Sequence, residues 1–109
     1  MASSYLVLGQ SNPGATTLTA MYTVPALTSA VVSTINVCNR SATATTFRVS
    51  IAIAGAGDTN AQYLAYDAPI GGNAVIPLTI GVTLATTDVI RVYATLATLT
   101  FQAFGTQIT

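Results

Sequence analysis

Few groups in this chain could do chemistry. There are three aspartates (Asp58, Asp67, Asp88), three arginines (Arg40, Arg48, Arg91), one cysteine (Cys38) and five tyrosines, and no histidine. Catalysis needs a placed proton carrier, a nucleophile with its base, or a metal. Each aspartate falls in a turn or near a strand end, where Asp commonly caps or solvates backbone, and nothing in their spacing makes an acid/base pair. Cys38 stands in an apolar stretch with no histidine to activate it, so it reads as a buried structural cysteine. Asp58-Thr59-Asn60 offers two oxygen side chains at alternate positions, but lacks the acidic density and terminal Glu of a calcium loop. The glycines Gly55, Gly57, Gly71 and Gly72 precede no helix and no lysine, so they form no phosphate loop. Asn39-Arg40-Ser41 matches the glycosylation pattern, but with no secretory signal visible it is expected to be a chance match. The expectation is a non-enzyme with no catalytic, cofactor or metal site.

The arginines and tyrosines remain. Arg48 and Arg91 sit mid-strand among apolar residues, where they should point outward or pair with Asp on a neighbouring strand. An arginine at a neutral interface can also grip a partner's carboxylate in bidentate fashion. Tyr63-Leu64-Ala65-Tyr66-Asp67 offers aromatic contact surface beside its ordinary role of packing and hydrogen bonding. Arg40, Arg48, Arg91, Tyr63 and Tyr66 are thus the candidate intersubunit contacts.

The elements carrying these residues read as strands. Phe47, Val49, Ile51 and Ile53 alternate with Arg48, Ser50, Ala52 and Ala54. Val31, Ser33, Ile35 and Val37 alternate with Val32, Thr34, Asn36 and Cys38. Ile90, Val92, Ala94 and Leu96 alternate with Val89, Arg91, Tyr93 and Thr95. A period of two is strand patterning, and no segment shows a helical apolar stripe. Turn signals cut the chain at Asn12-Pro13-Gly14, Pro25, Asn39-Arg40-Ser41, Gly55-Ala56-Gly57-Asp58, Gly71-Gly72-Asn73, Thr86-Thr87-Asp88 and Ala97-Thr98. About eight strands result. The expected fold is all-β: one antiparallel β-sandwich domain over residues 1–109, of jelly-roll or immunoglobulin-like kind. Residues 1–14 read as the first strand or as an arm able to add to another subunit's sheet.

Composition bounds the function. Charged residues make up 6% of the chain and the net charge is zero, against about 25% charged in an average domain. Such a surface favours association. Three arginines and no basic patch argue against nucleic-acid binding. The apolar runs are far shorter than the roughly 20 residues of a membrane-spanning helix, so no membrane is expected.

Tyr22-Thr23-Val24-Pro25-Ala26, then Val31-Val32-Ser33-Thr34-Ile35, Cys38-Asn39-Arg40 and Thr45-Thr46-Phe47-Arg48-Val49, resemble small virion proteins of tailed bacteriophages and prophages. The ending Asp88-Val89-Ile90-Arg91-Val92-Tyr93, with Phe104-Gly105 and Ile108-Thr109, is similar too. The resemblance implies a virion part assembled in the host cytoplasm. The expected role is a capsid decoration, or cement, protein that forms a homotrimer and binds the major capsid protein. Alternatives are a tail, neck, baseplate or fibre accessory protein, and a carbohydrate-binding adsorption module using Tyr63, Tyr66, Asp67 and Asn73. No functional residue transfers from the family.

Overall fold

Nine strands form two antiparallel sheets in a computed structural model that describes residues 2–109. They are β1 (Ser3–Ser11), β2 (Thr19–Thr23), β3 (Ser29–Asn39), β4 (Thr45–Ala52), β5 (Tyr63–Ile70), β6 (Val75–Leu78), β7 (Val82–Leu84), β8 (Val89–Ala94) and β9 (Leu99–Ile108). One sheet runs β1-β9-β3-β6, with β7 also on β3; the other runs β2-β8-β4-β5. Counting β6 and β7 as one position, this is the strand order of a jelly roll, two interlocked Greek keys. The expected sandwich is observed, and of its two named kinds the order matches the jelly roll. Nine strands stand where about eight were expected, because Thr79-Ile80-Gly81 interrupts the strand facing β3 into two short pieces.

The core lies between the sheets. Ile35, Val37, Leu99, Phe101 and Ala103 from the first sheet meet Phe47, Val49, Ile90, Val92 and Ala94 from the second, all buried. Phe47 and Phe101 pack edge to face across the layers with centroids 6.1 Å apart, a favoured aromatic geometry. The buried Tyr22 accepts a hydrogen bond at its hydroxyl from Gln107 Nε2 at 2.7 Å, tying β2 to β9. The N-terminal segment is the first strand of its own sandwich: β1 pairs with β9, and Ala2 and Thr109 exchange two backbone hydrogen bonds of 2.8 Å. Met1 lies outside the described residues.

Backbone irregularities correct three readings of the alternation. On β3 the register to β9 shifts between Val32 and Thr34. An extra residue flips the faces at that point. Ala30 and Val32 therefore point inward before it, and Ile35, Val37 and Asn39 after it. Val31 and Ser33, expected to share a face with Ile35, are exposed. Gly105 makes the bulge possible, since a Cβ there would overlap the Val31 carbonyl oxygen. For the same reason Cys38, expected to be buried, is half-exposed on the outer face between Thr100 and Val75. Finally, β4 ends at Ala52. Ile53 is 74% exposed in a 3₁₀ turn, because Ala54 and Gly55 take positive φ (54° and 69°) and turn the chain away.

The charges are unevenly placed. Among the described residues no Asp or Arg stands in any strand of the β1-β9-β3-β6/β7 sheet. Arg48, Asp67 and Arg91 are on strands of the other sheet, while Arg40, Asp58 and Asp88 are in loops.

Candidate functional site

The outer face of the β2-β8-β4-β5 sheet carries a cluster built around Arg48. Register places Arg48 on β4 opposite Tyr93 on β8. On the other side, Phe47 pairs with Ala68 and Val49 with Ala65, so both Tyr66 and Asp67 face Arg48. That β5 bulge holds Asp67 at φ 49°, a left-handed conformation Asp tolerates better than most residues. Its effect is to aim a ring and a carboxylate at one guanidinium. Arg48 Nε donates to Asp67 Oδ1 at 2.7 Å and Nη2 to Oδ2 at 3.3 Å. The guanidinium carbon lies 4.1 Å from the Tyr66 centroid and 4.3 Å from the Tyr93 centroid. The Asp67 hydrogen bond raises the Arg48 pKa above its ordinary value, so the arginine stays charged throughout the accessible pH range.

Tyr63 completes the cluster. Its ring meets Tyr66 at 90° with centroids 4.9 Å apart. Its hydroxyl donates to Asp58 Oδ2 at 2.9 Å. Burial, then that hydrogen bond, pushes the Tyr63 pKa up. Asn60, Tyr63 and Tyr66 line a depression of about 350 Å³.

The wall of the depression is the segment between β4 and β5, and several bonds hold it. Arg91 donates to the Ala56 carbonyl at 2.7 Å and the Gly55 carbonyl at 3.1 Å. Asp88 accepts from Ala54 N and Ala85 N, both at 2.9 Å. Thr59 and Gln62 form a reciprocal capping box on a short 3₁₀ turn, and Gln62 Nε2 also donates to the Gly57 carbonyl. Asp58-Thr59-Asn60 thus belongs to this ordered loop. No group of three metal-ligating side chains comes together among the described residues.

The structure brings Arg48, Tyr63, Tyr66 and Asp67 together and leaves the other candidates apart. Arg40 donates to the Ala97 carbonyl at 3.0 Å, joining two turns, and Arg91 braces the loop. All three arginines are therefore engaged within their own chain. Asn73 sits beyond the far end of β5, in the turn before β6. Asn60 takes its place beside the tyrosines. Asn60, Asp58 and Tyr93 were missed as members of the cluster. Only the β4–β8 register and the path of the loop bring them there, and neither leaves a local signal in the sequence. The Asn39 glycosylation pattern is also explained. That amide is 1% exposed and donates to the Thr43 and Gly71 carbonyls, so a glycan on it is incompatible with this fold.

No protein-family model, curated protein or solved structure matches this chain.

Proposed function

We propose that the chain is a virion structural protein, a capsid decoration protein that assembles as a homotrimer on the major capsid protein and stabilises the head. The observation that carries this reading is the charge-free β1-β9-β3-β6/β7 sheet. Its outer face presents Tyr5, Val7, Val31, Phe104 and Val75 among Thr, Gln and Asn. Tyr5 is 86% exposed. Four strand positions about 4.8 Å apart and about 30 Å long give roughly 600 Å² of face. That approaches the roughly 800 Å² per partner of a standard interface. Covering it desolvates no charge, and identical copies do not repel there.

The sheet edges support the same reading. The β5 edge is bulged, the β6/β7 edge is short and carries Pro77, and β2 is five residues long with its own bulge. Such features blunt an edge. Ser3 to Val7 of β1 run without a bulge and carry neither charge nor proline, which leaves a backbone edge open to strand addition. The jelly roll recurs in capsid domains and also in lectins, so the fold by itself is only an analogy.

Mass photometry of the purified chain, with its copy number per particle, tests the proposal. A trimer present in hundreds of copies is expected. A stable monomer, or a handful of copies in multiples of six, overturns the decoration role. A Val31→Asp variant should dissociate the assembly while leaving the far-ultraviolet spectrum of the fold unchanged.

A further inference from the structure

We propose that the depression bounded by Asn60, Tyr63 and Tyr66 is a binding site for a neutral saccharide. The inference does not rest on how copies of the chain associate, since the site lies on the opposite sheet from the charge-free face.

Three observations carry it. First, an aromatic platform stands in the open. Tyr66 is 56% exposed, yet its ring is fixed by the guanidinium of Arg48 and the perpendicular ring of Tyr63. A ring already held in place loses little entropy when a flat, C–H-bearing sugar face stacks on it. Second, the cluster consumes its own charge. Arg48 is bonded through Nε and Nη2 to Asp67 and stacked on two rings. Asp67 neutralises Arg48, and Asp58 beside Tyr63 adds a further negative charge, which disfavours an anionic ligand. Third, unused polar groups surround the rings. Thr59, Gln62 and Asp58 are engaged within the loop, whereas the Asn60 amide has no hydrogen-bond partner among the described residues. Asp58 Oδ1 is open to accept. A purely apolar ligand would bury these groups unpaired at a cost, whereas vicinal hydroxyls would satisfy them. A volume of about 350 Å³ falls at the small end of ligand pockets, which start near 300 Å³. This suits one or two sugar rings.

The test is amide chemical-shift titration of the isotope-labelled protein with maltose, lactose and chitobiose at millimolar concentration, with a sulfated disaccharide for comparison. Saturable shifts confined to residues 58–67 with at least one neutral sugar are expected. Binding should weaken about tenfold or more in Tyr66→Ala and in Asn60→Ala, and persist in Val31→Ser. Asn60→Ala changes only an exposed loop side chain, so it decides the matter if Tyr66→Ala does not fold. The site is overturned if no neutral sugar shifts these residues. Equal binding by Asn60→Ala, or preference for the sulfated disaccharide, also overturns it.

Discussion

Asn39 gives the sharpest test of the packing argument. It is the last residue of β3, 1% exposed, and its side chain makes three hydrogen bonds. Nδ2 donates to the Thr43 carbonyl at 2.9 Å and the Gly71 carbonyl at 3.1 Å, and Oδ1 accepts from Ser41 N at 3.1 Å. One amide thereby joins the β3–β4 and β5–β6 turns at one end of the sandwich. Replacing it with alanine removes three bonds worth about 1 kcal/mol each and strands their backbone partners. The expected loss is about 3–4 kcal/mol, a large fraction of the roughly 5–15 kcal/mol that holds a domain of this size. At about 4–8 °C per kcal/mol, the melting temperature should fall by at least roughly 12 °C. Asn39→Asp separates geometry from donor chemistry. The shape is kept and the Ser41 bond survives, but a carboxylate oxygen then faces two carbonyls. That raises the folded-state pKa of the new Asp above its usual value of about 3.9. A group whose pKa is raised by folding favours the native state below its unfolded pKa and loses that contribution as pH rises. Asn39→Asp should therefore be more stable near pH 4 than near pH 7, relative to wild type. Thermal melts over that range read both effects. A loss below about 1 kcal/mol for Asn39→Ala, or an Asn39→Asp variant that gains stability with pH, would refute the reasoning.

Three further outcomes follow from the geometry. Gly105→Ala should cost about 3 kcal/mol or more in denaturant unfolding, because its Cβ meets backbone at Val31 and Val32; Gly57→Ala, with open space around it, should change stability by less than about 0.5 kcal/mol. Arg48→Leu should cost about 1–3 kcal/mol. The sum is two ring contacts of about 0.5–1 kcal/mol each and a half-exposed ion pair worth at most about 1 kcal/mol. A double-mutant cycle with Asp67→Asn should show coupling that shrinks as salt is added. The Tyr63 pKa is raised from 10.0, so its contribution to stability is complete below about pH 10 and fades as pH climbs through the folded value. Tyr63→Phe should remove a late-titrating phenol from the ultraviolet titration and flatten that part of the alkaline melting profile.

Much of the scaffold was legible from local pattern. Phe47, Val49, Ile90, Val92 and Ala94 alternate as a sandwich strand requires and are buried. The turns at Gly71-Gly72-Asn73 and Thr86-Thr87-Asp88 fall where their residues suggested, with Asn73 and Thr87 at positive φ. The pairing of an outward arginine with an aspartate on the next strand is realised by Arg48 and Asp67. Less of the site was legible. Tyr63, Tyr66, Asp67 and Arg48 could be named, but not the bulge that turns Tyr66 and Asp67 together onto Arg48. Nor could the loop that brings Asn60 and Asp58 beside them be read.

The division has a physical cause. Side-chain alternation and turn chemistry act between residues a few positions apart, so the sequence alone determined an all-β chain with few charges and little with which to catalyse. Bulges are set by the register against a partner strand far away in sequence, as Gly105 sets the one at Ser33. They therefore decided, out of sight of any local pattern, that Cys38 and Val31 face outward. Strand order is likewise a property of the closed sandwich. Only that order gathers five charge-free strands into one sheet and leaves all the strand-borne charges on the other.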